Sequence, residues 1–365
     1  MAIKIIRGKS LPIGLDMGNS AIKMAQLKQV ESNFELLAAD LIEVPRASRG
    51  DLKARMAFAA SALGRMMARN AFAGQKCVLS LPAEATFVHH LRIPKVPSDQ
   101  IPSAAGPELS GKLPFAPTDA VIRYLVAGDI FSDGEPKQEV IVVAVERAVV
   151  DAYLDMATRA KLDVIGVDIE PCAVVECFAR VFRRAGDAAC TTLFMDIGAV
   201  STQFVLACGQ KIVFARNLAA GGEQIDQALA HEMKIPVEAA HALRADLLTG
   251  KSNNPQAEDE LYRLLEGTIR GISEEMTQCL RYYESIFRNQ AVERAIFVGG
   301  QAYDKRLCQA IAQRLNLPAQ IGDPLVRVSR ADGAGVNLGI DWRQPQPAWA
   351  VAVGLSLSPT VTVAA

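Results

Sequence analysis

The chain has 365 residues, of which half are apolar, and carries 39 basic and 40 acidic side chains for a net charge of −1. This length and apolar content predict two domains with sizeable cores. The balanced, interspersed charge argues against nucleic acid as the main partner. No apolar run is long enough to span a membrane, and Asp16 interrupts any signal-peptide core. We therefore expect a cytoplasmic protein without direct membrane insertion.

Cysteine and histidine give little support to a metal site. The seven cysteines are scattered, with no CxxC pair and no cluster at metal-ligand spacing. Most lie in apolar stretches, so buried free thiols in a reducing compartment are expected. His89 and His90 are adjacent, but on an extended strand they point to opposite faces and cannot readily share a metal ion.

The first half opens with two predicted strands, over about residues 12–27, that meet at Asp16, Met17 and Gly18. An acid at a strand end can hold a hydrated magnesium ion, and a nearby glycine lets the backbone approach a ligand. Alone, this pattern is usually only a turn. The next predicted elements are a strand over 34–44, a helix over 51–69 and a strand over 76–81.

The sequence changes character between about residues 82 and 147. Six prolines punctuate it: Pro94, Pro97, Pro102, Pro107, Pro114 and Pro117. Three strands are predicted here, over residues 86–93, 121–130 and 140–145, the last two joined by a turn at 132–134. We interpret this stretch as a small αβ subdomain inserted into the first half.

The second half begins where a predicted helix over 148–160 and a strand over 162–169 lead to Glu170 and Pro171, which start a helix. Asp196, Ile197 and Gly198 then repeat the first turn and are followed by Ser201 and Thr202. The remaining predicted strands cover 191–198, 201–207, 212–217 and 295–298, and the helices cover 223–233, 236–248, 257–288 and 304–315, with residues 349–357 closing the chain. The duplicated turn predicts two related halves that face one cleft.

Four pieces in chain order resemble the actin-like ATPase superfamily. They are the two hairpins, the Glu170-Pro171 junction and the stretch Ile296-Phe297-Val298-Gly299-Gly300-Gln301. Further stretches resemble the PilM family of type IV pilus assembly, and the similarity covers nearly the whole chain. These stretches are Val78 to Pro82, Leu91 to Pro94, Leu113 to Phe115, Ala144 to Arg147, Val167 to Glu170 and Ala350 to Leu355.

The resemblance implies a duplicated actin-like, ribonuclease H-like α/β fold that binds ATP and Mg²⁺. The first domain would cover residues 1–170, including the inserted subdomain at about 82–147. The second would cover 171–365, with a nucleotide-base subdomain at about 222–292. The segment 101–111 departs from the family, because its prolines and Gly106 stand where a regular helix is expected.

The resemblance also assigns roles to individual residues. Asp16 and Asp196 would bind Mg²⁺ through water. The phosphates would contact Gly18, Asn19, Ser20, Lys23, Gly198, Ser201 and Thr202. Gly221, Gly222 and Glu223 would line the nucleotide side of the second half, and Gly299, Gly300 and Gln301 would lie under adenosine.

Three of the candidate residues have two interpretations each. Glu170 could position or deprotonate the attacking water, or could be an acid favoured by a helix N-terminus. Lys23 could contact phosphate or face solvent. Arg244 could stack on adenine or meet the ribose, or could be an exposed surface arginine.

In function, the resemblance implies a cytoplasmic ATP-binding scaffold with at most slow ATPase activity. The N-terminal tail of a PilN-like inner-membrane protein would lie in a groove beside the inserted subdomain, and other pilus platform and motor proteins are further candidate partners. A small-molecule kinase is one alternative, although no small polar pocket beside a catalytic acid is evident in the first half. A division-protein-like filament former is another, but residues 357–363 lack the charge of a basic membrane-anchoring helix.

Overall fold

The computed structural model describes residues 8–132, 134–182, 185–248, 254–288, 290–331 and 340–358. The first half contains β1 (Lys9–Asp16), β2 (Ala21–Val30), β3 (Asn33–Glu43), α1 (Leu52–Arg69), β4 (Lys76–Leu81), β5 (Phe87–Pro94), α2 (Ile101–Leu109), β6 (Ala120–Ser132), β7 (Glu135–Glu146), α3 (Arg147–Arg159) and β8 (Asp163–Ile169). Residue 133 in the predicted turn at 132–134, and most of the uncharged tail, lie outside the described residues.

The second half contains α4 (Glu170–Ala179), β9 (Thr191–Ile197), β10 (Thr202–Cys208), β11 (Lys211–Leu218), α5 (Gly222–Met233), α6 (Val237–Leu248), α7 (Pro255–Ile286), β12 (Val292–Val298), α8 (Lys305–Leu315), β13 (Ala319–Ile321), β14 (Val328–Arg330) and α9 (Ala350–Leu357). Among the described residues, no helix is both long and apolar enough to cross a membrane.

Two larger sheets carry the two halves, and each is built around an antiparallel hairpin. The first has the order β14-β3-β2-β1-β4-β8 and the second the order β11-β10-β9-β12-β13. In the first hairpin Asp16 lies opposite Lys23, and in the second Asp196 lies opposite Gln203. The predicted duplication of a strand pair with an acid at its turn is therefore confirmed.

The inserted subdomain is a three-stranded sheet of order β5-β7-β6 with α2 on one face. Because side chains alternate along a strand, Val140 and Val142 pack with α2, while Ile141 and Val143 join the larger core that includes β9, β10 and β11. The segment 101–111 forms a regular helix despite its prolines. Pro102 lies in the first turn, where no backbone donor is needed, and Pro107 lies in the last.

The end of the chain returns to the first half. The three residues of β14 pair in parallel with β3, and α9 packs against β1, β2, β4 and α4. The predicted boundary at residue 170 thus separates the two hairpin-bearing sheets but not every later element. That division, and the nucleotide-base subdomain at 222–292, stay predictions.

The long helix α7, predicted over residues 257–288, buries one apolar stripe. Leu261, Leu265, Ile269, Ile272, Met276, Leu280 and Tyr283 are buried on one side. The three- and four-residue spacing of these positions puts them on a single face. Asn254 caps the helix, because its side chain accepts from the Ala257 amide.

Candidate functional site

A cavity of about 310 Å³ lies between the two halves and is lined by both hairpins. It brings together most of the sequence-predicted site residues. They are Asp16, Gly18, Asn19, Ser20, Lys23, Glu170, Asp196, Gly198, Ser201, Gly222, Glu223, Gly299, Gly300 and Gln301. Thr202, Gly221 and Arg244 are not part of this lining.

The first hairpin carries a buried ion pair. Lys23 Nζ lies 2.8 Å from Asp16 Oδ2, and only 13% of the Lys23 side chain is exposed. The interpretation of Lys23 as solvent-facing is therefore wrong. Burial works to lower the pKa of Lys23. Attraction to Asp16, the hydrogen bond that Lys23 donates to it, and the charges of Asp196 and Glu170 raise the pKa above its ordinary value. The lysine therefore stays charged in the cleft.

Three carboxyl groups from different elements influence one another in the cleft. Burial, followed by repulsion from Asp16, raises the pKa of Asp196 to about 7, and Lys23 only partly offsets this. Burial, followed by repulsion from Asp196 and Asp16, raises the pKa of Glu170 well above its ordinary value. Such concentrated negative charge favours a cation or a proton in the cleft.

The second hairpin is fixed to the start of α5 by backbone contacts. The Gly222 amide donates to Gly198 O at 3.0 Å, and the Glu223 amide donates to Ala199 O at 2.7 Å. A Cβ on Gly221 would lie 2.7 Å from Ala199 O, so only glycine allows this approach. The Thr202 hydroxyl is buried and donates to Ala220 O at 2.6 Å. Gly221 and Thr202 thus support the cavity wall from behind.

The turn after β12 closes on the second hairpin. Gly299 has a φ of 88°, and a Cβ there would lie 2.3 Å from Asp196 Oδ1. Glycine is therefore needed both for the backbone conformation and for the space. Its amide donates to Pro347 O at 3.0 Å, and a short 3₁₀ helix over Gly300–Tyr303 follows. Gln301 packs directly over Gly222, whose missing side chain leaves room for the amide group.

Arg244 lies behind the cavity wall and is only 4% exposed, so its interpretation as a surface residue is wrong. Its Nη1 donates to Gly222 O at 3.0 Å, and its Nη2 donates to Gln301 Oε1. Its Nη1 also lies 3.1 Å from Asp226 Oδ1. The charges meet there without the alignment of a hydrogen bond, because Asp226 Oδ1 has no hydrogen-bond partner among the described residues.

Sequence reasoning missed several residues of the cleft. Arg49 Nη1 lies 2.7 Å from Glu223 Oε1, and Arg46 Nη1 lies 2.9 Å from Glu238 Oε1. Both ion pairs cross from the loop after β3 to the second half. The only signal was two arginines in a stretch assigned as a loop.

Arg55 was also missed, although it supports the first turn from below. It is 5% exposed on α1, and its Nη2 donates to Met17 O at 2.7 Å and to Gly18 O at 3.0 Å. An arginine on the apolar face of a predicted helix was the available signal, since a buried arginine needs acceptors.

Two side-chain amide oxygens at the cavity are suited to accept hydrogen bonds from a hydrated cation. Asn19 Oδ1 and Gln203 Oε1 are buried at the cavity and have no hydrogen-bond partner among the described residues. The NH₂ group of Gln203 already has a partner, since Nε2 donates a hydrogen bond to Glu170 Oε2 at 2.8 Å. Within the described ranges, no three histidine, cysteine, aspartate or glutamate residues are placed to hold a metal ion directly. The two amide oxygens could accept hydrogen bonds from the water shell of a bound cation.

Comparison with known structures defines the class of protein. The fold is similar to the ethanolamine utilization protein EutJ from Carboxydothermus hydrogenoformans, at 14% identity and a TM-score of 0.55 over 95% of this chain and 89% of the other. It is also similar to ADP-bound MreB5 of Spiroplasma citri, at 13% identity and a TM-score of 0.50 over 95% and 94% of the two chains. The chain therefore has the duplicated actin-like ATPase fold, as predicted.

A more similar structure is the PilM-PilN type IV pilus biogenesis complex, at 21% identity and a TM-score of 0.76 over 95% of this chain and 97% of the other. The family model for the type IV pilus assembly protein PilM matches residues 14–359. The chain belongs to this family, which places its role in type IV pilus assembly. The predicted family resemblance is confirmed.

Proposed function

We propose that this protein is an ATP-binding scaffold of the type IV pilus inner-membrane platform. It binds ATP with Mg²⁺ in the cleft and binds the N-terminal cytoplasmic tail of a PilN-like inner-membrane protein beside the inserted subdomain. The main support for nucleotide binding is that both hairpins, with Asp16 and Asp196, line the same cavity. The family match and the similarity to a PilM-PilN complex support the partner. The protein would work in the cytoplasm and reach the membrane through that partner.

The phosphate end of the ligand would lie between the two hairpins. Asn19, Ser20, Lys23 and Ser201 supply polar groups there, and the close-packed glycines let the backbone approach. Asp16 and Asp196 would hold Mg²⁺ through water, and the ion would neutralise phosphate charge. Bound Mg²⁺ would also relieve the mutual repulsion that raises the pKa of Asp196.

The environment of Glu170 favours a protein that binds ATP over one that hydrolyses it rapidly. Burial, followed by repulsion from Asp196 and Asp16, raises the pKa of the Glu170 carboxyl well above the ordinary value, which favours the protonated form. A protonated acid cannot accept a proton from water, so it is a poor general base in that state. The Gln203 amide also holds one of its oxygens. We therefore propose that ATP hydrolysis is slow at most.

Nucleotide would act by fixing the angle between the halves. Such a ligand shifts a conformational equilibrium only if it binds the two cleft states differently. The ion pairs of Arg49 and Arg46 with the second half show that side chains already bridge the cleft. A nucleotide touching both hairpins would stabilise the same approach and so adjust the groove for the PilN-like tail.

Isothermal titration tests both parts of this proposal. ATP with Mg²⁺ should bind the wild type, and the double variant Asp16→Asn, Asp196→Asn should weaken binding at least about tenfold. Asp155→Asn on α3, which is exposed, is the matched control. The PilN-like tail peptide should bind more tightly when ATP and Mg²⁺ are saturating. Absence of ATP binding would contradict the site, whereas equal peptide affinities would contradict only the coupling.

A further inference from the structure

Arg244 on α6 joins two parts of the cavity wall, the beginning of α5 and the turn after β12. It contacts Gly222 at the first residue of α5, Asp226 one turn further along α5, and Gln301 in the turn after β12. All three of these residues line the cavity, whereas Arg244 itself does not. Among the described residues, no hydrogen bond or ion pair joins Arg244 to either phosphate hairpin. One guanidinium therefore joins α5 to the turn after β12.

The chemistry of the guanidinium determines the orientation of its partners. Arginine has five N–H donors and no acceptor, so the group of Gln301 that faces it must be the carboxamide oxygen. The two N–H donors of the Gln301 NH₂ group are consequently left for other partners. On Asp226, the second carboxylate oxygen is engaged by His241 Nδ1 at 2.7 Å.

The location of Arg244 excludes the direct role that its residue type suggested. A side chain that is 4% exposed and committed to three partners cannot also lie flat on an adenine ring. Releasing it would leave the carboxylate of Asp226, itself 2% exposed, without its arginine. The arginine is thus a fixed part of the wall and acts on the ligand only through Gln301, Gly222 and Asp226.

We propose that Arg244 is a positioning residue for the nucleoside part of the ligand, an inference that rests on the proposed nucleotide-binding function. It holds Gln301 in the orientation that presents NH₂ donors, which suits a base or ribose with acceptor atoms. The hairpin side chains that would contact the phosphates, Asn19, Ser20, Lys23 and Ser201, are not partners of Arg244. Loss of Arg244 should therefore reduce the affinity for ATP while leaving the affinity for a ligand that is phosphate alone.

The test compares ATP with inorganic tripolyphosphate, both with Mg²⁺, by isothermal titration of the full chain. Arg244→Lys keeps the charge beside Asp226 but cannot reach all three acceptors at once. We expect this variant to lower ATP affinity at least about tenfold and to change tripolyphosphate affinity less than about twofold. Arg263→Ala, which removes an exposed arginine on α7, is the control and should change neither affinity.

A second variant separates positioning from structural support. Gln301→Glu places a carboxylate oxygen against Arg244 and removes the NH₂ donors. It should keep or raise the melting temperature and still lower ATP affinity relative to tripolyphosphate. The positioning role is overturned if the wild type binds ATP but Arg244→Lys lowers the affinities for ATP and tripolyphosphate equally, or lowers neither. If the wild type binds neither ligand, the proposed nucleotide function fails, and the inference fails with it.

Discussion

The two acids of the duplicated turns differ in their immediate surroundings. Asp16 has Lys23 opposite it at 2.8 Å, whereas the residue opposite Asp196 is Gln203. Asp196 is therefore the acid whose charge is less well compensated, and burial with repulsion from Asp16 raises its pKa to about 7. The protein alone keeps a buried charge that would be stabilised by a cation. This buried carboxyl costs stability at a position where we propose that Mg²⁺ binds.

This difference makes stability depend on pH. Because the folded-state pKa of Asp196 is raised, the group favours folding below about pH 4, and this contribution is lost as pH rises toward 7. Asp196→Asn removes the effect, so without nucleotide it should be more stable than wild type by about 2–4 kcal/mol at pH 8. At pH 5 the difference should be much smaller.

Urea unfolding at pH 5 and pH 8 measures this change, with Mg²⁺ and nucleotide removed. Asp155→Asn, an exposed acid on α3, serves as the control and should follow the wild type at both values. A constant difference between Asp196→Asn and wild type across this range would show that Asp196 carries no unfavourable charge in the folded protein.

At the scale of elements, the last helix holds the two halves together through close glycine contacts. A Cβ on Gly14 of β1 would lie 1.9 Å from Ala352 O, and a Cβ on Gly354 would lie 1.8 Å from Ala173 O in α4. Ser356 adds two hydrogen bonds, donating to Pro12 O at 2.8 Å and accepting from the Leu27 amide at 3.0 Å. The helix α9 is thus fixed to backbone on both sides.

Gly354→Ala should therefore be strongly destabilising. The added methyl group would meet backbone atoms that cannot rotate away, so a loss of about 3 kcal/mol or more is expected. Gly267→Ala on α7 is the matched control, because its Cβ meets nothing within 4 Å. Replacing that helical glycine should stabilise the protein by about 0.5–1 kcal/mol. Guanidinium unfolding compares the two, and similar effects of both would contradict the tight seating of α9.

At the scale of the whole molecule, the inserted subdomain is packed onto the second half although its chain belongs to the first. Ile141 and Val143 join the core that includes β11. His90 stacks on Phe214 at 4.6 Å, and its Nε2 lies 3.1 Å from Ala215 O. The Asn217 amide donates to Ala83 O at 3.1 Å and Thr86 O at 3.0 Å. A shared core and directional hydrogen bonds together favour motion as one body.

We therefore expect the inserted subdomain to follow the second half when the cleft opens or closes. Spin labels on unnatural side chains at exposed positions 61, 108 and 274 would report the first half, the inserted subdomain and the second half. Addition of ATP and Mg²⁺ should change the 61–108 and 61–274 distances together and leave 108–274 unchanged.

The free protein provides a test that needs no nucleotide. The double variant His90→Ala, Asn217→Ala should broaden the 108–274 distance distribution, because it removes the directional contacts and leaves only apolar packing. Asp155→Asn on α3 is exposed and should leave that distribution unchanged. A change in 108–274 with a constant 61–108 distance would show that the subdomain follows the first half instead.

The sequence by itself determined the elements whose signal is local. Each hairpin carries its acid and glycine within a few residues, and α7 repeats its apolar positions along one face. These patterns, with the family resemblance, predicted the fold and half of the residues that line the cavity. These elements can be predicted from sequence because backbone pairing within a hairpin and burial of one helix face depend on residues close together in the chain.

Only the tertiary structure decided the features that depend on distant residues. The three-residue strands β13 and β14 have no pattern of their own and pair with strands already in place. Arg49 and Glu223 are 174 positions apart, and nothing near either residue indicates their contact. Arg244 has the residue type of a ligand-binding or surface arginine, yet Asp226, Gly222 and Gln301 surround it. Burial and pairing of charge are properties of the assembled cleft, so local sequence could not specify them.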